Sequence, residues 1–435
     1  MLPAASSEVA AGDAPAGAWL LPFMLALFFT WGLATVLVDV VTPKLKSLFS
    51  LSYAEATLTQ VSFFVAYAVV SLPAGLMVAR IGSMRGLVVG LLVMASGCLM
   101  FAPAARIGLF PIFLAALFVM ASGIAVLQVA ANPLVARLGP AAQAPSRLTL
   151  AQTFNALGTT VGPAIGAWTI LAHTPEIDTA GATTAVLAAA RQAEASALQG
   201  PFLVIAGVLG GLAILFWRLR SRVDGETGDG AASGHGLGLD LLRRPRVALG
   251  ALALFLYVGA EVAIGTLMVS YLEQPRVLGA DPAGAARLLS FYWGGALIGR
   301  IVGSAVLRVV RPGAALAVCS LAAALLVAVS GLSEGRVAGW SLIAVGLANA
   351  IMFPTIFAMA IEGLGERAPQ GAGIVCVAIV GGAVVPLATG ALADRFGLGV
   401  ALSAPVLCYL CIVAYALAAS RDALGAQDTP GALAA

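Results

Sequence analysis

Amide side chains are concentrated where two long apolar segments of this chain meet at a short polar loop. Gln128 and Asn132 are four residues apart in the first segment, so they share one face of a helix. Gln152 and Asn155 share a face of the second segment. Because a buried amide without a hydrogen-bond partner costs several kcal/mol, we expect both helices to face a wet cavity or a polar ligand instead of lipid.

Asp39 is the carboxylate of the first apolar segment, in the stretch LATVLVDVVTP. An ionised carboxylate is costly in hydrocarbon, so this side chain must face the cavity, find a partner or stay protonated. Pro43 lies four residues later and cannot donate to the Asp39 carbonyl, which weakens the helix at this point. Because desolvation favours the protonated form of a carboxyl group, Asp39 is the main candidate for a proton carrier. The alternative is an acid that meets water at the outer mouth.

Glu261 is the matching acid of a later apolar segment, FLYVGAEVAIGTLMV, and Tyr257 lies one turn before it. Three interpretations stay open for this pair. Glu261 is a second titrating site, or the two residues bind a polar substrate, or Glu261 is a structural hydrogen-bond partner between helices.

The amides favour an uncharged polyol as the ligand, because an amide donates and accepts hydrogen bonds at once. A cationic substrate would need more carboxylates, and an anionic one would need a mid-membrane cation, to which only Arg300 comes close. The alternative is amide-to-amide pairing between helices. Single aromatics in such helices are more often packing or interface anchors, but aromatic faces also suit a sugar ring. One amide and several aromatics extend the candidate site: Asn349, Phe353, Phe291, Tyr292 and Trp293.

The composition indicates a polytopic membrane protein. Of 435 residues, 61% are hydrophobic and 10% are charged, whereas soluble domains carry about 25% charged residues. The net charge of +3 is too small to indicate a nucleic-acid partner. The five cysteines lie in apolar segments and the two histidines in loops, so we expect no disulfide framework, metal cluster or cofactor. The N-terminus lacks a basic n-region and is predicted to be a cytoplasmic tail.

Twelve apolar segments are long enough to cross a bilayer, which takes about 20 residues. Basic residues are more numerous in the loops on the side of the N-terminus, which predicts that both termini are cytoplasmic. The predicted spans are 18–42, 57–79, 84–104, 109–136, 147–172, 200–219, 246–272, 284–307, 313–332, 337–361, 371–393 and 398–419.

Two longer loops interrupt this pattern. The loop 220–245 contains the Gly-rich, charged stretch SRVDGETGDGAASGHGLGLD and predicts a flexible cytoplasmic linker. It divides the chain into an N-terminal six-helix half, 1–219, and a C-terminal six-helix half, 246–435. The loop 173–199 contains an Ala-rich run that predicts a surface helix.

The two halves have the character of repeats, because functional-looking residues recur at offsets of 220 to 223 positions. Parallel six-helix repeats around a central cavity are typical of the major facilitator superfamily, which predicts an all-α membrane protein of that fold. The pairs are Asp39 with Glu261, Pro133 with Pro354, Arg80 with Arg300, and Pro163 with Pro386.

Three arginines are candidates for a gate. The loop GLMVARIGSMRG holds Arg80 and Arg85 and is similar to the loop between helices 2 and 3 of the superfamily, although Ala79 stands where an Asp is frequent. Arg300, in GALIGRIVG, takes the matching place in the second half. Because cations interact favourably with helix C-termini, we predict a gating role for these side chains.

Four stretches carry a more specific resemblance: NPLVARLGP, SRLTLAQTFNALGTTVGP, YVGAEVAIG and MFPTIFAMAIEGLG. They resemble the fucose–galactose–glucose:proton symporter family of this superfamily over about residues 28–396. The resemblance implies a hexose:H⁺ symporter in which Asp39 couples the proton and Gln152 and Asn155 contact sugar. The helix 4 carboxylate of the fucose branch falls on Gln128, so its two-carboxylate relay does not carry over, and the pattern is more similar to the glucose/galactose branch.

Together, these observations predict a monomeric symporter of the bacterial inner membrane with a sugar, H⁺ and the lipid bilayer as partners. Na⁺ coupling stays open, because a carboxylate and freed carbonyls can also coordinate that ion. A carrier or exporter of another neutral polar solute stays open as well, since a fold does not determine its substrate. A membrane sugar sensor that does not transport is the alternative from another class. An intramembrane enzyme lacks support, because the carboxylates are isolated and no His lies in a predicted helix.

Overall fold

The structure, a computed structural model, describes residues 18–48, 53–107, 109–166, 184–227 and 236–425. Among these residues the chain forms helices and connecting turns, without strands. The side chain of Asp39 is outside the described set. Side chains are described for residues 19–36, 58–104, 107, 109–163, 165, 200–223 and 236–420.

Long apolar runs form the helices of the first half, and prolines and glycines set their ends. Gly82 adopts φ +86°, which lets the chain reverse between α2 and α3 without strain. Proline in the first turn of α4 suits a helix start, because its locked φ is already helical. The helices are α1 Leu21–Leu48, α2 Tyr53–Ile81, α3 Ser83–Ile107, α4 Phe110–Arg137, α5 Ala144–Gly166 and α6 Thr184–Thr227.

The second half follows the same rules. Three helices of this half begin at a proline: Pro245, Pro282 and Pro312. The Asp281 carboxylate caps the helix that begins at Pro282 by accepting a hydrogen bond from the Gly284 backbone amide at 3.3 Å. The helices are α7 Pro245–Leu272, α8 Pro282–Val306, α9 Pro312–Leu332, α10 Gly335–Asn349, α11 Met352–Ile361, α12 Ala368–Val377, α13 Gly381–Phe396, α14 Leu398–Ala401 and α15 Ser403–Gly425.

Nine helical stretches within the described residues are long and apolar enough to cross a membrane. The other three predicted spans correspond to α1, whose described apolar part is Leu21–Val36, and to the more polar α5 and α8. These three helices pack inside the same bundle.

The same helix pairs recur in both halves. In the first, α1 packs on α5, α2 on α4, and α3 on both α4 and α6. In the second, α7 packs on α13, α8 on α10, and α9 on both α10 and α15. The halves meet where α2 packs on α12 and where α5 packs on α8. The boundaries 1–219, 220–245 and 246–435 stay a prediction.

Two predicted spans are interrupted helices. The span 337–361 divides into α10 and α11, because Pro354 cannot donate to the carbonyl of Ala350. The span 371–393 divides into α12 and α13 at a 3-10 turn, Ala378–Val380, which precedes Pro386. Pro354 accounts for the first break, whereas Pro386 lies inside α13 and does not account for the second.

The middle of the predicted linker, 228–235, lies outside the described residues, so its flexibility stays a prediction. Its two ends are helical: helix α6 continues to Thr227, and a 3-10 segment spans Leu239–Arg243. This segment is anchored to the second half, since Arg367 donates to Asp240 at 2.7 Å. Gln370 donates to the Gly236 carbonyl at 3.1 Å. The Ala-rich run predicted as a separate surface helix is the first part of α6.

Candidate functional site

A cavity of about 450 Å³ lies between the two halves. Its wall comes from α1, α2 and α4 on one side and from α7 and α8 on the other. The lining residues of α2, α4 and α7 lie in the halves of those helices nearer the face where α1 ends and α2 begins, which we call the outer face, while Thr35 and Trp293 lie near the middle of α1 and α8. The lining residues are Thr35, Thr59, Gln60, Phe63, Phe64, Leu117, Val262, Gly265, Thr266, Leu289 and Trp293.

At the opposite, inner face the two halves are in close contact. Gly75 of α2 meets α12 so tightly that an added Cβ would lie 2.9 Å from the Pro369 carbonyl oxygen. Gly373 of α12 packs in the same way on the Ser71 carbonyl. A second seam forms where the Ser146 hydroxyl of α5 donates to the Ser304 carbonyl of α8 at 2.5 Å. The arrangement is therefore outward-facing, with a cavity on one side and a sealed seam on the other.

The first-half amides form a polar cluster deeper than the cavity. Gln128 donates to the Tyr67 hydroxyl at 2.8 Å, and both side chains are buried. The amide oxygen of Gln128, Oε1, has no hydrogen-bond partner among the described residues, and neither does the side-chain nitrogen or oxygen of Asn132. Ser71, one turn beyond Tyr67 on α2, also has a buried hydroxyl without a described partner. Such groups are costly to bury without a partner, so this cluster is suited to hydrogen-bond a polar ligand or water.

Helix α5 is held against α1 by backbone approach. The Asn155 amide donates to the Phe28 carbonyl at 3.2 Å. Gly32 and Gly158 allow this contact, because a Cβ at either position would collide with backbone of the partner helix. Gln152 is 8% exposed and lies one turn nearer the inner face. The two predicted sugar contacts thus share a face, as expected, but Asn155 is already engaged with α1.

The second-half candidates converge on one hydrogen-bond network. The Tyr257 hydroxyl donates to the Asn349 carbonyl at 3.2 Å, and the Asn349 amide donates to the Tyr292 hydroxyl at 3.0 Å. Tyr292 in turn donates to the Glu261 carbonyl at 3.4 Å. The Glu261 carboxyl interacts with the Tyr257 hydroxyl and with the charge of Arg300. A tyrosine hydroxyl on each side fixes the Asn349 position between α7 and α8.

The predicted substrate-binding residues do not line the cavity itself. Glu261 directly precedes the lining residue Val262, so the second-half network borders the cavity floor. Phe353 stacks on Phe357 with 6.0 Å between ring centroids and packs against the core. Its placement matches the packing interpretation of a single aromatic, while its predicted contact with sugar stays untested.

Sequence reasoning missed Gln60 and the threonine hydroxyls of the cavity wall. Gln60 carried a signal, since an amide in an apolar segment follows the same argument as Gln128. Threonine gave no signal, because its hydroxyl satisfies itself within a helix: Thr35 donates to the Trp31 carbonyl at 2.9 Å.

The predicted gating arginines are spread out. Arg80 and Arg85 are exposed and make no hydrogen bond or ion pair with another described residue. Arg300 lies inside α8, where its buried Nε lacks a described hydrogen-bond partner. The inner seam is built instead from the small residues named above, and the gating role stays a prediction.

Arg147 is a structural residue that the sequence did not single out. Its guanidinium donates to the carbonyls of Val135, Gly139 and Pro140 at 3.2, 3.2 and 2.9 Å. Val135 lies in the last turn of α4, whose C-terminal carbonyls a cation stabilises, and Gly139 and Pro140 belong to the turn that follows. Arg147 therefore fixes the turn that joins the two amide-bearing helices.

The charged pair on the inner side involves Asp240. The Arg367 guanidinium donates to this carboxyl and lowers its pKa below the usual range. The pair is solvent-exposed, with side-chain exposures of 36% and 61%, so its contribution to stability is small.

Comparison with known proteins gives the class. The Major Facilitator Superfamily model matches residues 21–379. A glucose/galactose transporter of Brucella abortus biovar 1 (strain 9-941) is 46% identical over 91% of this chain and 93% of the relative. A putative glucose/galactose transporter of Helicobacter pylori (strain J99) is 38% identical over 91% of this chain and 95% of the relative. The L-fucose-proton symporter of Escherichia coli (strain K12) is 31% identical over 93% and 94%.

Solved structures agree on the architecture. The crystal structure of the transporter FucP in the outward conformation has a TM-score of 0.84 and 29% identity, covering 92% of this chain and 99% of that chain. The proton:xylose symporter XylE has a TM-score of 0.68 at 12% identity, covering 92% of this chain and 94% of that chain, and supports the fold alone.

A bundle of apolar helices with a cavity between two similarly packed halves defines a membrane transporter. This chain belongs to the Major Facilitator Superfamily. It is a multi-pass membrane transporter and not an enzyme. The predicted fold and the resemblance to the fucose–galactose–glucose group are confirmed.

Proposed function

We propose that this protein is a monosaccharide:H⁺ symporter that works by alternating access. The observation that carries the proposal is the cavity between the halves together with the sealed inner seam of Gly75 and Gly373. This geometry admits a solute from one side only. The relatives are named glucose/galactose transporters and L-fucose-proton symporters, and the deep amide clusters suit neutral hydroxyl groups.

The transport cycle follows from the two seams. Sugar and proton enter from the outer face, and binding to both halves favours closure on that side. The Gly75–Gly373 seam and the Ser146–Ser304 contact then open together toward the inner face. Each ligand must favour the same conformational step for the two to be coupled. The rocking of one half against the other supplies that step.

The residue roles are part of the proposal. Asp39 carries the proton, with Glu261 as a second titrating or substrate-binding acid. Arg80, Arg85 and Arg300 serve the gate. The sugar contacts are Gln128, Asn132, Gln152, Asn155, Tyr257, Glu261, Asn349 and Phe353. Their burial below the cavity requires the sugar to move inward, or the cluster to be wetted, before these contacts form.

The cellular setting is also a proposal. A bacterial inner membrane with both termini in the cytoplasm makes the outer face periplasmic, which agrees with the excess of arginine in the inner loops. The chain is proposed to function as a monomer with two six-helix halves, 1–219 and 246–435, joined by 220–245. These assignments make the cavity the entry point for external sugar.

Sugar accumulation in proteoliposomes under an imposed pH gradient tests the proposal. We expect the native chain to accumulate glucose or galactose when the outer side is acidic. Asp39→Asn is expected to exchange sugar in counterflow but not to accumulate it, because an amide cannot carry the proton. Asp394→Asn, which changes an exposed acid at the end of α13, is the matched control and should behave like the native chain.

Three results would contradict parts of the proposal. Equal accumulation by the native chain and Asp39→Asn would remove Asp39 from the coupling role. Accumulation driven by a Na⁺ gradient and indifferent to pH would replace the proton as the coupling ion. Binding of sugar without any counterflow would favour a sensor.

A further inference from the structure

The cavity wall holds polar groups that the deeper clusters do not use. Gln60 of α2 is exposed in the wall, and its amide makes no hydrogen bond with another described residue. Thr266 donates to the Val262 carbonyl at 2.8 Å, and Thr35 donates to the Trp31 carbonyl at 2.9 Å. Since each hydroxyl hydrogen is engaged, both threonine oxygens remain free to accept. The wall thus offers the Gln60 amide, which can both donate and accept hydrogen bonds, and two threonine oxygens, which can accept them.

Trp293 supplies a fixed aromatic surface on the other side. It is 45% exposed although it lies in α8 and borders the cavity. Its ring rests on Gly265, where an added Cβ would lie 3.3 Å from ring atom Cζ2. The Tyr292 ring contacts it edge-on, with 5.0 Å between centroids. A glycine on one side and a tyrosine on another hold the indole in place, so its remaining surface is presented ready-formed.

This combination matches the two chemistries of a sugar. A pyranose has an apolar face, which packs on an aromatic ring, and a rim of hydroxyls, which pair with amides and hydroxyl oxygens. The cavity of about 450 Å³ lies in the usual range for small-molecule sites, about 300–1,000 Å³. Gln60 belongs to the first half and Trp293 to the second, so a sugar that contacts both bridges the halves.

We propose that Gln60 and Trp293 form an outer sugar subsite, made of different residues from the buried amide clusters that it adjoins. This inference rests on the proposed sugar transport and deepens it. A sugar held here contacts Gln60 about two helical turns before Tyr67 on α2, and it contacts Trp293, which directly follows Tyr292 of the Asn349 network. Because it touches both halves, its binding energy favours their approach at the outer face.

Concentration dependence of counterflow uptake of glucose and galactose tests the subsite. Trp293→Ala is expected to raise KM about tenfold and Gln60→Ala about fivefold, with kcat within about twofold, because each removes a contact used for capture. Trp293→Phe should keep KM within about threefold. Trp340→Ala is the matched control, since this 48% exposed aromatic packs on Phe291 away from the cavity wall. Gln143→Ala, an exposed amide at the inner face, controls for Gln60.

A second readout does not depend on transport. Glucose should change the tryptophan fluorescence of the purified native chain, and Trp293→Phe should abolish most of that change while Trp340→Phe keeps it. If the native chain transports sugar while Trp293→Ala and Gln60→Ala keep the native KM and the fluorescence response, the subsite is wrong and the transport proposal stands. If the native chain neither transports sugar nor responds in fluorescence, both proposals fail together.

Discussion

Phe64 of α2 lies against Gly382 of α13, so close that a Cβ on Gly382 would sit 2.6 Å from ring atoms Cε1 and Cζ. Phe64 lines the cavity and Gly382 belongs to the other half. The contact therefore joins the two halves below the cavity, between the entry point and the buried Tyr67 hydroxyl. It depends on the absence of a side chain at position 382.

Gly382→Ala should slow sugar uptake. The added methyl group must displace the Phe64 ring or separate α2 from α13, and overpacking of this kind costs about 1–3 kcal/mol. We expect the initial uptake rate to fall about fivefold or more. Gly390→Ala lies on the same helix with nothing within 4 Å of the new Cβ and should keep the native rate. Equal rates for the two variants would show that the Phe64–Gly382 contact does not limit transport.

Gly75→Leu should open the inner face. The seam between α2 and α12 has no room for a side chain, since even a Cβ at Gly75 meets the Pro369 carbonyl at 2.9 Å. We expect the inward-facing form to gain population and Cys376, now buried beside Tyr67, to react faster with a permeant maleimide. Peptide mass spectrometry of the labelled chain measures this site by site.

The control for the seam is Gly207→Leu. Gly207 lies in α6 with no atom within 4 Å of an added Cβ, so the substitution should leave Cys376 protected. Unchanged Cys376 labelling in Gly75→Leu would contradict the seam as a conformational lock. Faster labelling in both variants would indicate general loosening of the fold instead.

Asn132→Leu and Asn349→Leu should act in opposite directions on thermal stability. Both amides are completely buried, but neither polar atom of the Asn132 side chain has a described hydrogen-bond partner, whereas the Asn349 nitrogen donates to Tyr292 and only its side-chain oxygen lacks one. Removing an unpaired amide should stabilise the outward-facing form by about 1–3 kcal/mol, and removing a paired one should destabilise it by a similar amount. Thermal unfolding in detergent measures both.

Sugar uptake measured on the same two variants separates an effect on packing from an effect on substrate binding. If Asn132 contacts sugar during the cycle, Asn132→Leu gains stability and loses uptake at once. A variant that is more stable and transports at the native rate would assign Asn132 no role in substrate binding. A loss of stability in Asn132→Leu would mean that the amide has a partner, such as a bound water.

The Asp240–Arg367 pair should weaken in acid. The native-state pKa of Asp240 is lowered by the hydrogen bond from Arg367, and the unfolded value is about 3.9. The pair therefore contributes stability above about pH 4 and loses it as the pH falls through the lower native value. The melting temperature of Asp240→Asn should lie slightly below that of the native chain near neutral pH and converge with it in acid. A difference that stays constant with pH would exclude the ionised pair as its source.

Much of the architecture could be predicted because lipid imposes simple rules. Length and hydropathy identified the spans, and the 220-to-223-residue offset identified the repeat. The pairing of Gln128 with Tyr67 could not be predicted in the same way, because it joins helices 61 positions apart in the chain. The anchoring of the described end of the linker could not be predicted for a related reason: it depends on contacts of Asp240 with the turn before α12 and of Gly236 with α12, which lie far away in the sequence.

The sequence by itself determined that this chain is a twelve-span transporter and which polar side chains lie inside its membrane helices, since each such residue is expensive in hydrocarbon. Only the tertiary structure decided which of them face the cavity and which face each other. Gln60 and Trp293 line one cavity although they belong to different halves, whereas Asn132 is completely buried and does not line it. Helical periodicity gives the face of a residue within its own helix, but only helix packing gives what that face meets.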